Sequence, residues 1–265
     1  MPEFQHLALS DILSAMAPVT LAEMDGVKLM NRIDSKYVTT EAKIRQVLKD
    51  AAEAGYRVLE TEGERISPYD SVYYDTPSLD MFRDHRNGRL VRQKVRTRCY
   101  VLSGTVFLEI KRKNNKGRTR KKRMEIPSAE LMDFRGDASA RGYLEQHSDF
   151  SAPMLEPVLE TLFRRITLVN PSMTERLTID TCLGFKNFRS SSEASLRDAV
   201  IIELKQDGRA ASRMKQILLR HRIHPLRVSK YCVAVALTDT EALPGRFKLK
   251  IRQIEKIIDH SISRI

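Results

Sequence analysis

Four cations alternate along one short stretch of this sequence: Arg92, Lys94, Arg96 and Arg98, with Val91, Val95 and Thr97 among the intervening positions. In a β-strand, residues two apart share a face, so these four charges would stand in one row. Such a row repels itself unless anions lie close by. Two other stretches set a carboxylate beside a cation at the same spacing, Glu109-x-Lys111 and Glu203-x-Lys205. That pairing suits a divalent metal held next to a phosphate. Hard oxygen ligands bind Mg2+ or Mn2+, and ammonium and guanidinium groups neutralise phosphoryl oxygens.

The same alternation recurs elsewhere. Val106, Leu108 and Ile110 oppose Phe107, Glu109 and Lys111, while Met124 and Ile126 oppose Lys121, Arg123 and Glu125. Leu177 and Ile179 oppose Arg176, Thr178 and Asp180; Ile202 and Leu204 oppose Glu203 and Lys205; Arg32, Asp34 and Lys36 share a parity. One explanation is a set of outer faces in water. The other is a barrel wide enough for a ligand, with the charged parity inward and the apolar parity under helices. The repulsive row and the repeated E-x-K pair favour the second.

Strand signals span 28–38, 69–75, 89–101, 104–113, 120–126, 158–169, 175–183, 198–205 and 227–236, with turns at Asn87-Gly88, Ser103-Gly104 and Asn114 to Gly117. Glu41 to Ala54 reads as a helix capped by Thr39 or Thr40, with Ile44, Val47, Leu48 and Ala51 on its apolar face. Gly208 to His221 reads as another, with Met214, Ile217 and Leu218 inward, and Ser128 caps a short one through Phe134. The first 27 residues suggest short helical segments. After Pro244-Gly245, residues 246–265 form an amphipathic helix bearing Phe247, Ile251, Ile254, Ile258 and Ile262 on one face. Its cations Lys248, Lys250, Arg252 and Lys256 could serve a membrane surface or a partner; the alternative, favoured, is that its isoleucines cover one barrel end. Many antiparallel strands with a few helices predict an α+β fold, expected as a single domain over 1–265.

Lys+Arg 46 against Asp+Glu 34 gives a net charge of +12, which calls for a polyanionic partner or a basic solvated surface. Aromatic residues are 6% and tryptophan is absent, so stacking platforms for nucleic acid are scarce and no specific nucleic acid is expected. No leader or apolar span is evident, and Cys99, Cys182 and Cys232 lack CxxC spacing. A reduced, cytoplasmic chain is expected, with peripheral association at the inner face of a membrane left open. His221 and His224 read as helix-end residues.

Seven strings, in order, resemble a known family: Ser35-Lys36-Tyr37, Tyr74-Asp75-Thr76-Pro77, Lys94 to Tyr100, Phe107 to Lys111, Arg176 to Asp180, Ile202 to Lys205 and Ser229-Lys230-Tyr231. They are similar to the VTC domain, the polyphosphate-polymerase branch of the triphosphate tunnel metalloenzymes (the CYTH-like superfamily), over about residues 28–237. The resemblance implies an eight-stranded antiparallel β-barrel tunnel with a charged interior, flanked by helices. It implies ATP and polyphosphate as partners, with Mn2+ or Mg2+ as cofactor. The implied activity is that of a phosphotransferase moving the γ-phosphate of ATP onto a polyphosphate chain.

Matched motif by motif, Arg96, Arg98, Lys111, Arg165 and Arg176 would clamp the reacting phosphates. Lys36, Lys121, Arg123, Ser229 and Lys230 would bind further phosphate, with Arg164 as the fallback for Arg165 and the register at Lys121 and Arg123 open. Glu203, with Glu109, would hold the metal. The E-x-E-x-K motif of the cyclase and thiamine-triphosphatase branches is absent, since the strand reads Met30-Asn31-Arg32-Ile33-Asp34-Ser35-Lys36. Neither the regulatory SPX-type domain nor the membrane helices of eukaryotic members is expected here, so export would need a separate membrane partner. Two alternatives stay open: a tunnel-type triphosphatase and a non-catalytic polyanion-binding module.

Overall fold

The computed structural model describes residues 9–25, 32–196, 198–208 and 211–262. Residues 1–8 and 26–27 of the expected N-terminal helical segment, 28–31 of the first expected strand, 209–210 of the expected 208–221 helix and 263–265 of the last helix lie outside them.

In chain order the first elements are α1 (Ser10–Ser14), β1 (Pro18–Val19), α2 (Leu21–Asp25), β2 (Arg32–Thr40) and α3 (Glu41–Glu53). Next come β3 (Arg57–Leu59), β4 (Ser67–Asp75), α4 (Asp80–Arg86), β5 (Arg92–Tyr100), β6 (Thr105–Lys113) and β7 (Thr119–Ile126). The remainder is α5 (Ala138–His147), β8 (Glu156–Val169), β9 (Glu175–Asn187), β10 (Glu193–Leu196), β11 (Ala199–Asp207), α6 (Arg213–Arg220), α7 (Lys230–Thr238) and α8 (Phe247–Ile258).

The main sheet path is β2-β11-β9-β8-β4-β5-β6-β7, and every neighbouring pair in it is antiparallel. Among the described residues β7 and β2, at its two ends, are not paired with each other. The sheet is nevertheless curled into a tunnel. Lys111 on β6 and Glu203 on β11 are separated along the path by β5, β4, β8 and β9, yet each feels the other's charge. The expected fold class, an α+β tunnel with helices outside and charge inside, is the one found.

Strand parity explains the layering. The apolar parity faces outward and is covered by helices: Leu177, Ile179, Ile202 and Leu204 meet Ile44, Val47 and Leu48 of α3 and Ile217 and Leu218 of α6. On the other side Val72, Val95, Leu108 and Ile110 meet Phe134 and α5's Ala140 and Leu144. The third cluster lies across one end of the concave face, where Val38, Tyr73, Phe163 and Ile201 meet α7 and α8. The isoleucine face of α8 is therefore buried within its own chain, as Ile251, Ile254 and Ile258 show.

One strand serves both the charged and the apolar interior. In β9 the pairing with β8 slips between Leu162 and Arg164, and Cys182 takes φ 52°. A bulge shifts side-chain parity by one residue. Thr178 and Asp180 thus face inward before it, and Leu183 and Phe185 join the inner apolar cluster after it.

The segment expected as a strand at 227–236 is instead helix α7. Its run is apolar on every side, and periodicity cannot separate a short buried strand from a buried helix. Ser229 caps it by accepting from the Cys232 amide, and every residue from Tyr231 to Thr238 is buried. The expected helix from Ser128 through Phe134 is two 3-10 turns, Ser128–Leu131 and Phe134–Gly136. It is broken where the Asp133 side chain accepts from the Arg135 amide. The α4 and α5 helices have no counterpart in the sequence reading.

Helix α4 is fixed by Asp75, a fully buried carboxylate that accepts from the amides of Thr76 (2.8 Å), Met81 (2.9 Å) and Phe82 (2.9 Å). The Tyr231 hydroxyl donates to it as well (2.5 Å), tying α4 to α7. Removing the carboxylate would strand several buried donors at once. Asp75→Ala is expected to cost about 3 kcal/mol or more of stability, measured as a lowered urea midpoint.

Candidate functional site

The concave face carries the charged parity of the strands as continuous cross-strand pairs. Lys36 faces Glu203, Lys205 faces Arg176, and Asp180 faces Arg165. Tyr73 faces Arg96, Arg96 faces Glu109, and Lys94, Lys111 and Lys121 stand side by side across β5, β6 and β7. Every site residue expected from the sequence except Ser229 and Lys230 lies on these strands, and those two begin α7 at the edge of the face.

Two carboxylates organise the cations. Glu109 is fully buried and accepts from Arg96 Nε (2.8 Å) and Nη2 (2.5 Å), while its second oxygen meets Lys121 Nζ. Asp180 takes Arg165 bidentately, Nε at 2.6 Å and Nη2 at 2.8 Å, and also meets Lys230 Nζ. Burial would push both carboxyls up. The adjacent cations outweigh it and hold them well below the usual carboxylate range. Arg165 is the inward member of its pair, and Arg164 lies on the opposite parity, facing Thr181.

Aromatic rings complete the clamp. Arg165 lies 5.0 Å from the Tyr69 ring and 5.3 Å from Phe163, and Arg98 lies 5.4 Å and 5.6 Å from the same two rings. Such rings stabilise a guanidinium plane without neutralising it. The Tyr73 hydroxyl accepts from Arg96 Nη1 at 2.8 Å. Burial would raise that phenol, but Arg96, Arg98, Lys94 and Lys230 bring it down to about 8. Arg123 rests 4.7 Å from Phe107, at the rim.

Among the described residues, Arg98 and Lys111 have no acid of their own in this ladder. Arg98 is buried and its Nε donates to Ser71 Oγ at 3.0 Å. Among the described residues no carboxylate oxygen lies within 4.0 Å of Arg98 or Lys111. Burial and the charges of Arg96 and Arg165 lower the Arg98 pKa; Arg96 and burial lower that of Lys111 well below its ordinary value. Positive charge is held here against its own repulsion. That is the electrostatic form of an anion site.

Glu203 is the carboxylate with room for a further ligand. Lys36 Nζ lies 3.4 Å from it, and the Glu203 side chain keeps 23% of its exposure. Burial opposes its ionisation, but Lys36, Lys205, Lys111 and Arg165 hold its pKa well below the usual range. Directly across the pairing sits Thr178, whose buried hydroxyl has no hydrogen-bond partner among the described residues. Among the described residues no cluster of three or more His, Cys, Asp or Glu could hold a metal ion. A single ionised glutamate still fits Mg2+ or Mn2+ where phosphate oxygens supply the other ligands, which is how such ions are commonly bound. Glu109 also bears on a metal: one of its oxygens takes Arg96, and the other, in an ion pair with Lys121, makes no hydrogen bond among the described residues.

Ser229 spends its oxygen on the Cys232 amide (3.3 Å) and on Lys94 Nζ (2.5 Å). Arg176 stands at the far end of β9, opposite Lys205. The sequence reading missed Asp180, Tyr69, Tyr73, Phe163 and Ser71 as parts of the site. Parity offered a signal for Asp180, which falls in step with Arg176 and Thr178. The rings carried none, because an inward aromatic on a strand reads as core.

Lys230 gives a pH-dependent handle. Burial pulls its pKa down to about 8, with Asp180 opposing the fall and Arg165 and Lys36 adding to it. A bound phosphate chain would restore its charge. Triphosphate binding is therefore expected to take up protons above pH 8, and affinity to weaken as pH rises further. Calorimetry of tripolyphosphate binding at pH 9, in buffers of different ionisation heat, should show this uptake, reduced in Lys230→Met.

The family model described as VTC domain matches residues 31–239. No protein with a curated description matches the chain. Among solved structures, a protein provisionally assigned as an adenylate cyclase from Vibrio parahaemolyticus is 12% identical, with a TM-score of 0.44, covering 75% of this chain and 94% of that one. Another, provisionally an adenylyl cyclase from Hippeastrum and described as having a dominant triphosphatase activity, is 15% identical. Its TM-score is 0.46, over 77% of this chain and 95% of that one.

Proposed function

Since this chain belongs to the VTC domain family, we propose that it is a metal-dependent polyphosphate polymerase that moves the γ-phosphate of ATP onto a growing polyphosphate chain. The observation that carries this reading is the pair Arg98 and Lys111, concave-face cations without a carboxylate of their own, set on the same face as Glu203. Phosphoryl transfer needs positioning and charge neutralisation more than covalent help.

In this reading Arg96, Arg98, Lys111, Arg165 and Arg176 grip the triphosphate. Lys36, Lys121, Arg123, Ser229 and Lys230 hold further phosphates. Glu203 would be the protein's ligand to Mn2+ or Mg2+, which when bound neutralises charge on the phosphoryl oxygens. Asp180 orients Arg165, and Glu109 orients Arg96 and would be a second carboxylate for the metal. A terminal oxygen of the acceptor chain forms the new bond to the γ-phosphorus as the bond to the ADP oxygen breaks. The attacking oxygen is already ionised, so no proton has to be removed.

That last point favours the polymerase reading over the hydrolase. A water nucleophile gains from a general base poised near neutral pH. Of the inward carboxylates, Glu109, Asp180 and Glu203 are held well below that range and are poor bases; the inward groups nearer neutrality, Tyr73 and Lys230, are bound to Arg96 and Asp180. The test is incubation with ATP and Mn2+ or Mg2+, followed by separation of products on a gel. Polymer forming in step with ADP is expected. Orthophosphate in place of polymer would make the protein a triphosphatase, and no turnover at all would make it a binding module.

A further inference from the structure

A second group of cations converges just beyond the tunnel, and no part of the site above uses it. The inward pair Lys94–Lys111 is followed one step along the same two strands by the pair Arg92–Lys113. Two residues along a strand advance the ladder by about 7 Å. Arg227 approaches from the loop before α7, a segment brought to the strands by the bond from Lys94 Nζ to Ser229 Oγ at 2.5 Å. Arg246, just ahead of α8, lies against Gly88 in the loop before β5.

Four separate segments thus deliver Arg92, Lys113, Arg227 and Arg246 to one mouth. Burial lowers the Lys113 pKa and the charges of Arg92 and Arg227 lower it further; Arg246 acts in the same direction on Arg92. Among the described residues none of the four lies within 4.0 Å of a carboxylate oxygen. Like charges placed directly opposite across a strand pair are destabilising, so a cost is carried here without an internal counter-ion.

We propose that this mouth is a separate binding subsite for an inorganic polyphosphate chain, holding the phosphates that extend past the Lys94–Lys111 rung. The inference rests on the polyphosphate reading for the identity of the chain. The ligand class follows from the line of charge. Arg92 and Lys113 continue the same strand faces that bear Arg96 and Lys111, so one unbranched polyanion can follow both. Nucleic acid would need exposed rings for its bases; the His85 imidazole, on which Arg92, Arg246 and Lys113 act, packs edge-on against Phe247, and Phe247 is buried. The subsite favours long chains over tripolyphosphate and so acts on chain retention.

The test uses the double variant Lys113→Ser/Arg227→Ser, in which neither side chain makes a hydrogen bond or ion pair with the described residues. A control, Lys248→Ser/Arg252→Ser on exposed positions of α8, removes the same charge elsewhere. Binding of long-chain polyphosphate and of tripolyphosphate is measured at one salt concentration, since such affinities depend steeply on salt. Long-chain affinity is expected to fall about tenfold or more in the mouth variant alone, with tripolyphosphate affinity unchanged and shorter polymer made from ATP.

Equal losses in the control, no loss in the mouth variant, or an oligonucleotide bound as tightly with the same loss would each overturn the subsite. The two readings fail separately. Absence of polymer from ATP, with chain-length-dependent binding still lost in the variant, removes the polymerase and leaves the subsite. Polymer formation with unaltered long-chain binding does the reverse.

Discussion

Glu203→Gln is expected to fold normally and to lose roughly 100- to 1,000-fold in metal-dependent turnover of ATP, or about 2.7–4 kcal/mol of transition-state stabilisation. The amide keeps the shape and removes the charge. Its partner Lys36 keeps 35% side-chain exposure and can be rehydrated, so the lost ion pair costs about 1 kcal/mol or less. A hard cation binds a neutral amide oxygen far less well than a carboxylate. The expected pattern is an unchanged melting temperature, a sharply raised metal requirement and tripolyphosphate affinity that survives without metal. Full activity at ordinary metal concentration would remove Glu203 from the account.

Asp180→Ala is expected to do the opposite, harming the fold before the chemistry. Arg165 and Lys230 would be left facing each other across a buried site with no counter-ion between them. Breaking a buried ion pair by removing one partner typically costs about 3–5 kcal/mol, seen here as a lowered urea midpoint. Polyphosphate should restore part of that loss, because bound phosphates would take the carboxylate's place. The pH profile gives a second check. Asp180 is held below its unfolded pKa of about 3.9, so its contribution is complete above that value and lost as pH falls through it and beyond. The variant should lack this part of the acid limb of the stability curve.

Much of this arrangement was legible in the sequence because strand parity is a strict period. The alternation of Arg92, Lys94, Arg96 and Arg98 with apolar residues put those cations on one face, and the apolar residues opposite them marked the side covered by helices. Parity could not say which face curves inward. The self-repulsion of the cations did. Helix α7 was misread because its buried, β-branched residues carry no period at all. Asp180 was seen in step with Arg176 but not as the anchor of Arg165, since the partner sits on another strand at a distance set by tertiary register. The parity switch at Cys182 was invisible, because it depends on a bulge and on no residue type.

Arg98 puts the central claim, that this concave face is built to hold phosphates, to its most direct test. Its guanidinium is buried near Arg96 and Arg165, with rings and the Ser71 hydroxyl for company and no acid within reach among the described residues. A residue kept for structure would stabilise the free protein. A residue kept for an anion would strain it. The measurement is one titration of tripolyphosphate into the wild type and Arg98→Met, with the melting temperature of each free protein. Arg98→Met is expected to melt as high as the wild type or higher and to bind tripolyphosphate about tenfold or more weakly. A variant that melts lower and binds equally well would contradict it.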